Sequence, residues 1–215
     1  MEYDEHEQSE RVRGWLRQNG SSLITGIALG LALVFGWQWW QGRGERHKEE
    51  ASGQYETLGQ AVEAKDATKV KLLAGQVQDK FKDTGYALLA VLRQASFLHD
   101  QGKDAEALAL LRAERPNVKD PGLAELIDIR IARLLLIMGK PDDSAKELAK
   151  ISNPRYSQVI DELEGDIAIA RGKRDEARKH YESALGKLDQ AAPTRPLLEL
   201  KLIDAGGTPP AKPET

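Results

Sequence analysis

Hydrophobic and polar positions follow two regimes along this chain. From Ser21 to Trp40 the run SSLITGIALGLALVFGWQWW carries no charge, and 25 residues separate the flanking charges, Arg17 and Arg43. At about 1.5 Å per residue, a helix of about 20 residues spans about 30 Å, the hydrocarbon thickness of a bilayer. Eight of the residues are Leu, Ile, Val or Phe, so insertion is favoured with no charged side chain opposing it. The pattern predicts a transmembrane helix over 21–41. A buried core helix of this length would need several similar ones around it, and the remaining sequence supplies none. A cleaved leader fits poorly, because the apolar part exceeds the usual length of roughly 7–15 residues and ends in tryptophans instead of small residues.

Beyond Gly44 the apolar positions recur at helical spacing. Tyr55, Leu58 and Val62 share a face over Ala51 to Ala64, and Val70, Leu73, Val77 and Phe81 share one over Ala67 to Phe81. The first of these segments continues from the membrane helix. No strand-like alternation occurs and the breaks are short groups with Gly, Pro or Asn, so the expected class is all-α: one N-terminal transmembrane helix followed by a solenoid of helical hairpins. Gly102-Lys103, Gly139-Lys140 and Gly172-Lys173 recur at spacings of 37 and 33 residues, a period that signals stacked hairpins. In the third unit, Gly165 lies seven residues before Gly172, and Ala177, Tyr181 and Ala184 follow it by five, nine and twelve. This unit resembles a tetratricopeptide repeat (TPR), in which small residues let the two helices approach and the aromatic fills the gap to the next unit. The first unit keeps Ala95, Gly102, Ala107 and Leu111 in the same places, with Glu114 where a small residue is usual. The second keeps Ala132 and Gly139, but its next alanine, Ala145, falls one residue late, implying a one-residue insertion at Pro141 and placing Ser152 at the last position. Such hairpins cannot bury their faces singly, so at least three must stack and be capped. Pro193 to Ala205, with Leu197, Leu198, Leu200 and Leu202, reads as the capping helix.

Composition refines the ends. All four tryptophans, Trp15, Trp37, Trp39 and Trp40, bracket the span, where indole rings favour the headgroup level. Gly26 and Gly30 form a GxxxG that would allow close helix–helix packing in the membrane. The chain divides into an acidic, irregular tail and an interfacial amphipathic segment over 1–20, the span over 21–41, a repeat domain over 45–205 and a flexible tail, GGTPPAKPET, over 206–215. Val12, Trp15 and Leu16 form the apolar face of the interfacial helix, and Arg11, Arg13 and Arg17 face anionic headgroups, which favours a cytoplasmic N-terminus. The Asn19-Gly20-Ser21 sequon sits at the bilayer edge on that inner side and is discounted.

Charge and chemistry mainly exclude. The net charge of −3 offers no basic footprint for nucleic acid, and the absence of cysteine rules out disulfides and thiolate metal sites. Histidines 6, 47, 99 and 180 are scattered, no phosphate-cradling loop or nucleophile elbow occurs, and no cofactor is expected. Asp161, Glu162, Glu164 and Asp166 read as a solvated helix face rather than acid–base machinery, so no enzymatic activity is expected. Stacked hairpins instead curve into a concave groove. TPR geometry carried onto this sequence places Arg93, Ser96 and His99, then Arg130 and Arg133, then Glu162 and Asp166 on that protein-binding groove, the two arginines of the middle unit either pairing with the two carboxylates, the favoured reading, or recognising a partner.

The span with its flanks, NGSSLITGIALGLALVFGWQWW, followed by degenerate repeats that include ARGKRDEARKHYESAL, resembles the YfgM family of ancillary subunits of the bacterial SecYEG translocon. The resemblance implies a single-pass inner-membrane protein with a cytoplasmic N-terminus and a periplasmic repeat domain. It implies as partners the translocon, a membrane-anchored isomerase-like periplasmic chaperone, emerging protein clients and the lipid bilayer. It implies an adaptor that helps pass translocated proteins to periplasmic chaperones, with a membrane-anchored scaffold that sequesters a stress-response regulator as the alternative.

Overall fold

The structure is a computed structural model and describes residues 3–210. It is all-helical among the described residues: α1 (Tyr3–Glu63), α2 (Ala67–Lys80), α3 (Gly85–Asp100), α4 (Asp104–Glu114), a 3-10 turn (Arg115–Asn117), α5 (Pro121–Ile137), α6 (Pro141–Leu148), α7 (Ser157–Ala170), α8 (Arg174–Lys187) and α9 (Arg195–Asp204). The all-α reading with one N-terminal apolar helix holds. The expected irregular tail differs: its backbone is already helical from Tyr3, and no break separates the interfacial segment from the span. Once a long helix exists, each added residue gains a hydrogen bond without a new nucleation cost, so elongation through polar residues and isolated glycines is inexpensive.

One turn builds every hairpin. Gly102, Gly139 and Gly172 adopt φ of +71°, +72° and +74°. Each glycine N–H donates three residues back, to His99, Leu136 and Ile169, and each following lysine N–H reaches five back, to Leu98, Leu135 and Ala168, at 2.8–2.9 Å. These paired bonds satisfy carbonyls that a helix end would leave open, and the left-handed residue reverses the chain. The lysine carbonyls then accept the first bonds of the next helices, from Ala107, Ser144 and Ala177 at 3.0 Å. The same turn occurs once more without glycine: Lys65, at φ +54°, separates α1 from α2. Its N–H donates to Val62 and that of Asp66 to Ala61. Asp66 also caps α2 by accepting from the Lys69 N–H at 3.0 Å. Among the described residues the array therefore holds four hairpins, α1/α2, α3/α4, α5/α6 and α7/α8, one more than the glycine pattern indicates. Gly206 and Gly207 close α9 with the same bonds, and Gly207 packs against Leu202, so the last segment begins as ordered backbone instead of a free tail. Residues 211–215 lie outside those described.

Register follows from the turn. Seven residues before the left-handed position stand Leu58, Ala95, Ala132 and Gly165; five after it stand Val70, Ala107, Ser144 and Ala177; nine after it stand Ala74, Leu111, Leu148 and Tyr181. All twelve are buried. The expected insertion at Pro141 is absent. Ser144, not Ala145, takes the buried place, because its hydroxyl donates to the Ala132 carbonyl at 2.7 Å and so enters the core satisfied. Ala145 is only partly buried, and Ile151 rather than Ser152 continues the row against the core. Tyr181 serves two contacts: it lies on Gly165, where a Cβ would overlap ring atoms Cδ1 and Cε1, and it joins Leu198 and Leu202 of α9. Of the capping-helix leucines, Leu198 and Leu202 are buried, whereas Leu197 and Leu200 are exposed.

Gly165→Ala is expected to destabilise the protein by about 1–3 kcal/mol through overpacking against Tyr181. Adding Tyr181→Leu should recover part of that loss by recreating the Ala/Leu pair of the preceding hairpin, read as non-additivity in denaturant titrations of the four proteins of the cycle.

Candidate functional site

The first helices of the middle hairpins, α3 and α5, present their outer faces to one groove. Two adjoining depressions of about 280 Å³ and 320 Å³ share Ser96 and Arg130. The first is lined by Ser96 and His99 of α3, by Leu126, Arg130, Arg133 and Ile137 of α5, and by Tyr156 and Val159 at the start of α7. The second extends toward α1 through Leu89, Arg93 and Tyr55. Five of the seven expected groove residues, Arg93, Ser96, His99, Arg130 and Arg133, are thus brought together.

Their electrostatic situations differ. Arg93 stacks over the Tyr55 ring at 4.4 Å, and its guanidinium lies against Gly59, where a Cβ would collide with it. His99 Nδ1 contacts Asp104 Oδ1 at 2.6 Å, tying the end of α3 to the start of α4. Arg130 is partly buried and Arg133 exposed, and among the described residues neither forms an ion pair. Burial, and secondarily the charge of Arg133, lowers the Arg130 pKa from the usual guanidinium value.

The expected arginine–carboxylate pairing is replaced by another. Lys201 of α9 contacts Glu162 Oε1 at 2.6 Å and Asp166 Oδ2 at 2.7 Å. Asp166 Oδ1 also accepts the Tyr181 hydroxyl at 2.8 Å. Glu162 and Asp166 share a face of α7 at i, i+4, so one lysine from the capping helix satisfies both. Desolvation first, and the bond to Asp166 second, push the Tyr181 phenol well above its ordinary pKa. The other acids of that run are likewise partnered: Asp161 with Lys187 and Ser183, both at 2.6 Å, and Glu164 with His180 at 3.1 Å. These carboxylates hold helices together.

Two buried acids of α5 escaped the sequence reading. Glu125 accepts the backbone N–H groups of Arg155 and Tyr156 at 2.9 and 2.8 Å, satisfying donors just ahead of α7. Asp128 holds Arg115 through two bonds of 2.6 and 2.8 Å, and the first cause of the raised Arg115 pKa is that contact. Both lie on α5 and fix the α4–α5 connection and the segment ahead of α7; an acid at an apolar-periodic position is the signal that could have found them. No cluster of three or more His, Asp or Glu suited to a metal ion occurs among the described residues.

The anchor is a separate surface. Arg17–Gln38 forms a 22-residue stretch of α1, long and apolar enough to cross a membrane, with none of its apolar window buried by the rest of the chain. Trp15 and Trp37 are exposed. The side chains of Trp39 and Trp40 lie outside the described ones. At Gly26 and Gly30 no other described part of the chain approaches within 4 Å of where a Cβ would stand.

The sequence model of a tetratricopeptide repeat-like domain family matches residues 13–207. The chain is similar to the ancillary SecYEG translocon subunit of Haemophilus influenzae, 26% identical over 84% of this chain and 88% of the relative. It is similar to the subunit of the same name in Escherichia coli, 25% identical over 93% and 95%, and to that of Neisseria gonorrhoeae, 23% identical over 93% and 96%. Among solved structures, nearly identical TPR-like repeats from Podosopora anserina superpose with a TM-score of 0.53 at 16% identity, covering 73% of this chain and 85% of that one, a likeness of fold alone.

Lys201→Met is expected to leave two partly buried carboxylates on α7 without a cation and to cost on the order of 1–2 kcal/mol, measured by denaturant titration. The loss should shrink when Glu162→Gln is combined with it.

Proposed function

This chain belongs to the tetratricopeptide repeat-like domain family and, within it, to the YfgM family of ancillary translocon subunits, and from that premise we propose that it is a single-span, non-enzymatic adaptor of the bacterial inner membrane. In this reading the span docks beside the SecYEG channel, the N-terminus is cytoplasmic and the repeats are periplasmic. The groove between α3 and α5 receives proteins emerging from the channel and helps pass them to periplasmic chaperones, among them a membrane-anchored isomerase-like one.

The observation that carries this reading is α1 itself. Its Arg17–Gln38 part is unburied by the chain, while Ala51 and Leu58 of the same helix are fully buried in the core of the first hairpins. Anchor and repeat domain are therefore joined by continuous helix instead of a loose linker. Tyr55, which lines the groove, follows Gln38 by 17 residues, so the helix sets the groove about 26 Å beyond the end of the span. A client leaving a neighbouring channel would meet a docking surface held at a fixed height, which raises its effective concentration there.

Photo-crosslinkers placed singly over residues 24–38 in native membranes are expected to capture SecYEG from one helix face; capture of no translocon component from any position would overturn the docking. A reporter fused after Thr215 should be active only when periplasmic, and cytoplasmic activity alone would exclude the orientation. Arg130→Glu with Arg133→Glu should reduce recovery of co-purifying proteins severalfold while membrane integration and helical content stay unchanged.

A further inference from the structure

Resting on the groove reading above, we infer that the α3/α5 groove is selective for a short protein segment that places a carboxylate side chain next to an apolar one, the carboxylate meeting Arg130 and Arg133. Three observations lead here. Arg130 and Arg133 project from α5 at i, i+3, where side chains are neighbours, and neither has an ion-pair partner among the described residues. By contrast, the other groove cations and acids that sequence reasoning singled out are already engaged: Arg93 on Tyr55, His99 on Asp104, and Glu162 and Asp166 on Lys201. Finally, the same depression exposes apolar surface beside the arginines, with Ile137 half exposed and Leu126 and Val159 lining it.

The charge balance selects the occupant. A partly buried guanidinium next to a second one is disfavoured in its charged form by lost solvation and by like-charge repulsion, the two causes that lower the Arg130 pKa. An incoming carboxylate relieves both and matches the fork of guanidinium donors with two parallel hydrogen bonds. A lysine or arginine on the incoming segment would meet three cations, Arg93, Arg130 and Arg133, against Asp100 as the groove carboxylate without an ion pair. The apolar neighbour of the carboxylate would seat against Leu126 and Ile137, where removal from water contributes affinity without regard to sequence. Selection would then be by charge and hydrophobicity, suited to many acidic clients and excluding basic ones.

The test uses full-length protein in detergent and three fluorescein-labelled peptides on one Gly/Ser frame, each with two leucines flanked by Glu, by Gln or by Lys. The expected result is that the Glu peptide binds at least about tenfold more tightly than the Gln peptide, that the Lys peptide binds least, and that the difference falls as salt is raised. Arg130→Gln with Arg133→Gln, checked for unchanged helical content, should bring the Glu peptide to the affinity of the Gln peptide. A bulky maleimide on Ser96→Cys, at an exposed position between the two depressions, should block all binding. Equal affinity for the three peptides, with binding still blocked at Ser96→Cys, overturns the carboxylate preference and leaves the groove standing. Binding that ignores the Ser96→Cys block overturns both. Displacement of the Glu peptide by phosphatidylglycerol bicelles as readily as by unlabelled peptide would put a lipid headgroup at the arginines and overturn the assignment to a protein segment.

Discussion

Each hairpin depends on a contact between a small and a large side chain across its two helices. Leu58 and Ala74, Ala95 and Leu111, and Ala132 and Leu148 share cores pairwise, and Gly165 with Tyr181 is the extreme case. Interiors pack at nearly constant density, so what matters at such a position is the combined volume, not which helix supplies the larger member. The first hairpin reverses the order of the other three and remains in register. The left-handed turn makes this possible, because it fixes where the second helix starts and so which residues face one another across the pair.

With the hairpins set, the polar residues divide by how far they are from a partner. Many acidic groups among the described residues find a cation on an adjacent turn or adjacent helix, as Asp128 does in Arg115 and Glu162 and Asp166 do in Lys201. Exposed pairs of this kind contribute little, whereas the half-buried ones locate helices relative to one another. Arg130 and Arg133 stand out against that pattern, since they occupy an apolar groove without a carboxylate in contact. The groove thus carries two guanidinium groups without an ion pair among the described residues.

The anchor and the domain meet in one helix, and this shapes what the protein can do. A flexible tether would let the repeats sample a wide volume above the membrane, with an effective concentration that falls as the tether lengthens. Continuous helix from Arg17 to Glu63 instead joins the apolar stretch to the repeats without a loose linker. His47 and Phe81 reinforce the junction, their ring centroids 5.0 Å apart, with His47 Nε2 also 3.0 Å from Asp83. Both contacts tie the juxtamembrane turns of α1 to the end of α2.

The local sequence decided what helix geometry alone can decide: a charge-free run of membrane length, apolar faces at helical spacing, and the three reversals at Gly102-Lys103, Gly139-Lys140 and Gly172-Lys173. Membership of Arg93, Ser96, His99, Arg130 and Arg133 in one surface was legible for the same reason, since each lies on the polar side of a periodic helix at a position its neighbours repeat. The hairpin turning at Lys65 was hidden, because the left-handed backbone there is held by two main-chain bonds and not by a residue that favours it. Ser144 was hidden because a hydroxyl reads as polar until the Ala132 carbonyl, twelve residues away, is known to accept it. Only the packed chain could bring Lys201 to Glu162 and Asp166, 39 and 35 residues distant, and leave the two arginines of α5 without them. Pairings over such separations are chosen by how helices stack, and a one-dimensional pattern records which residues seek partners but not which of them come within reach.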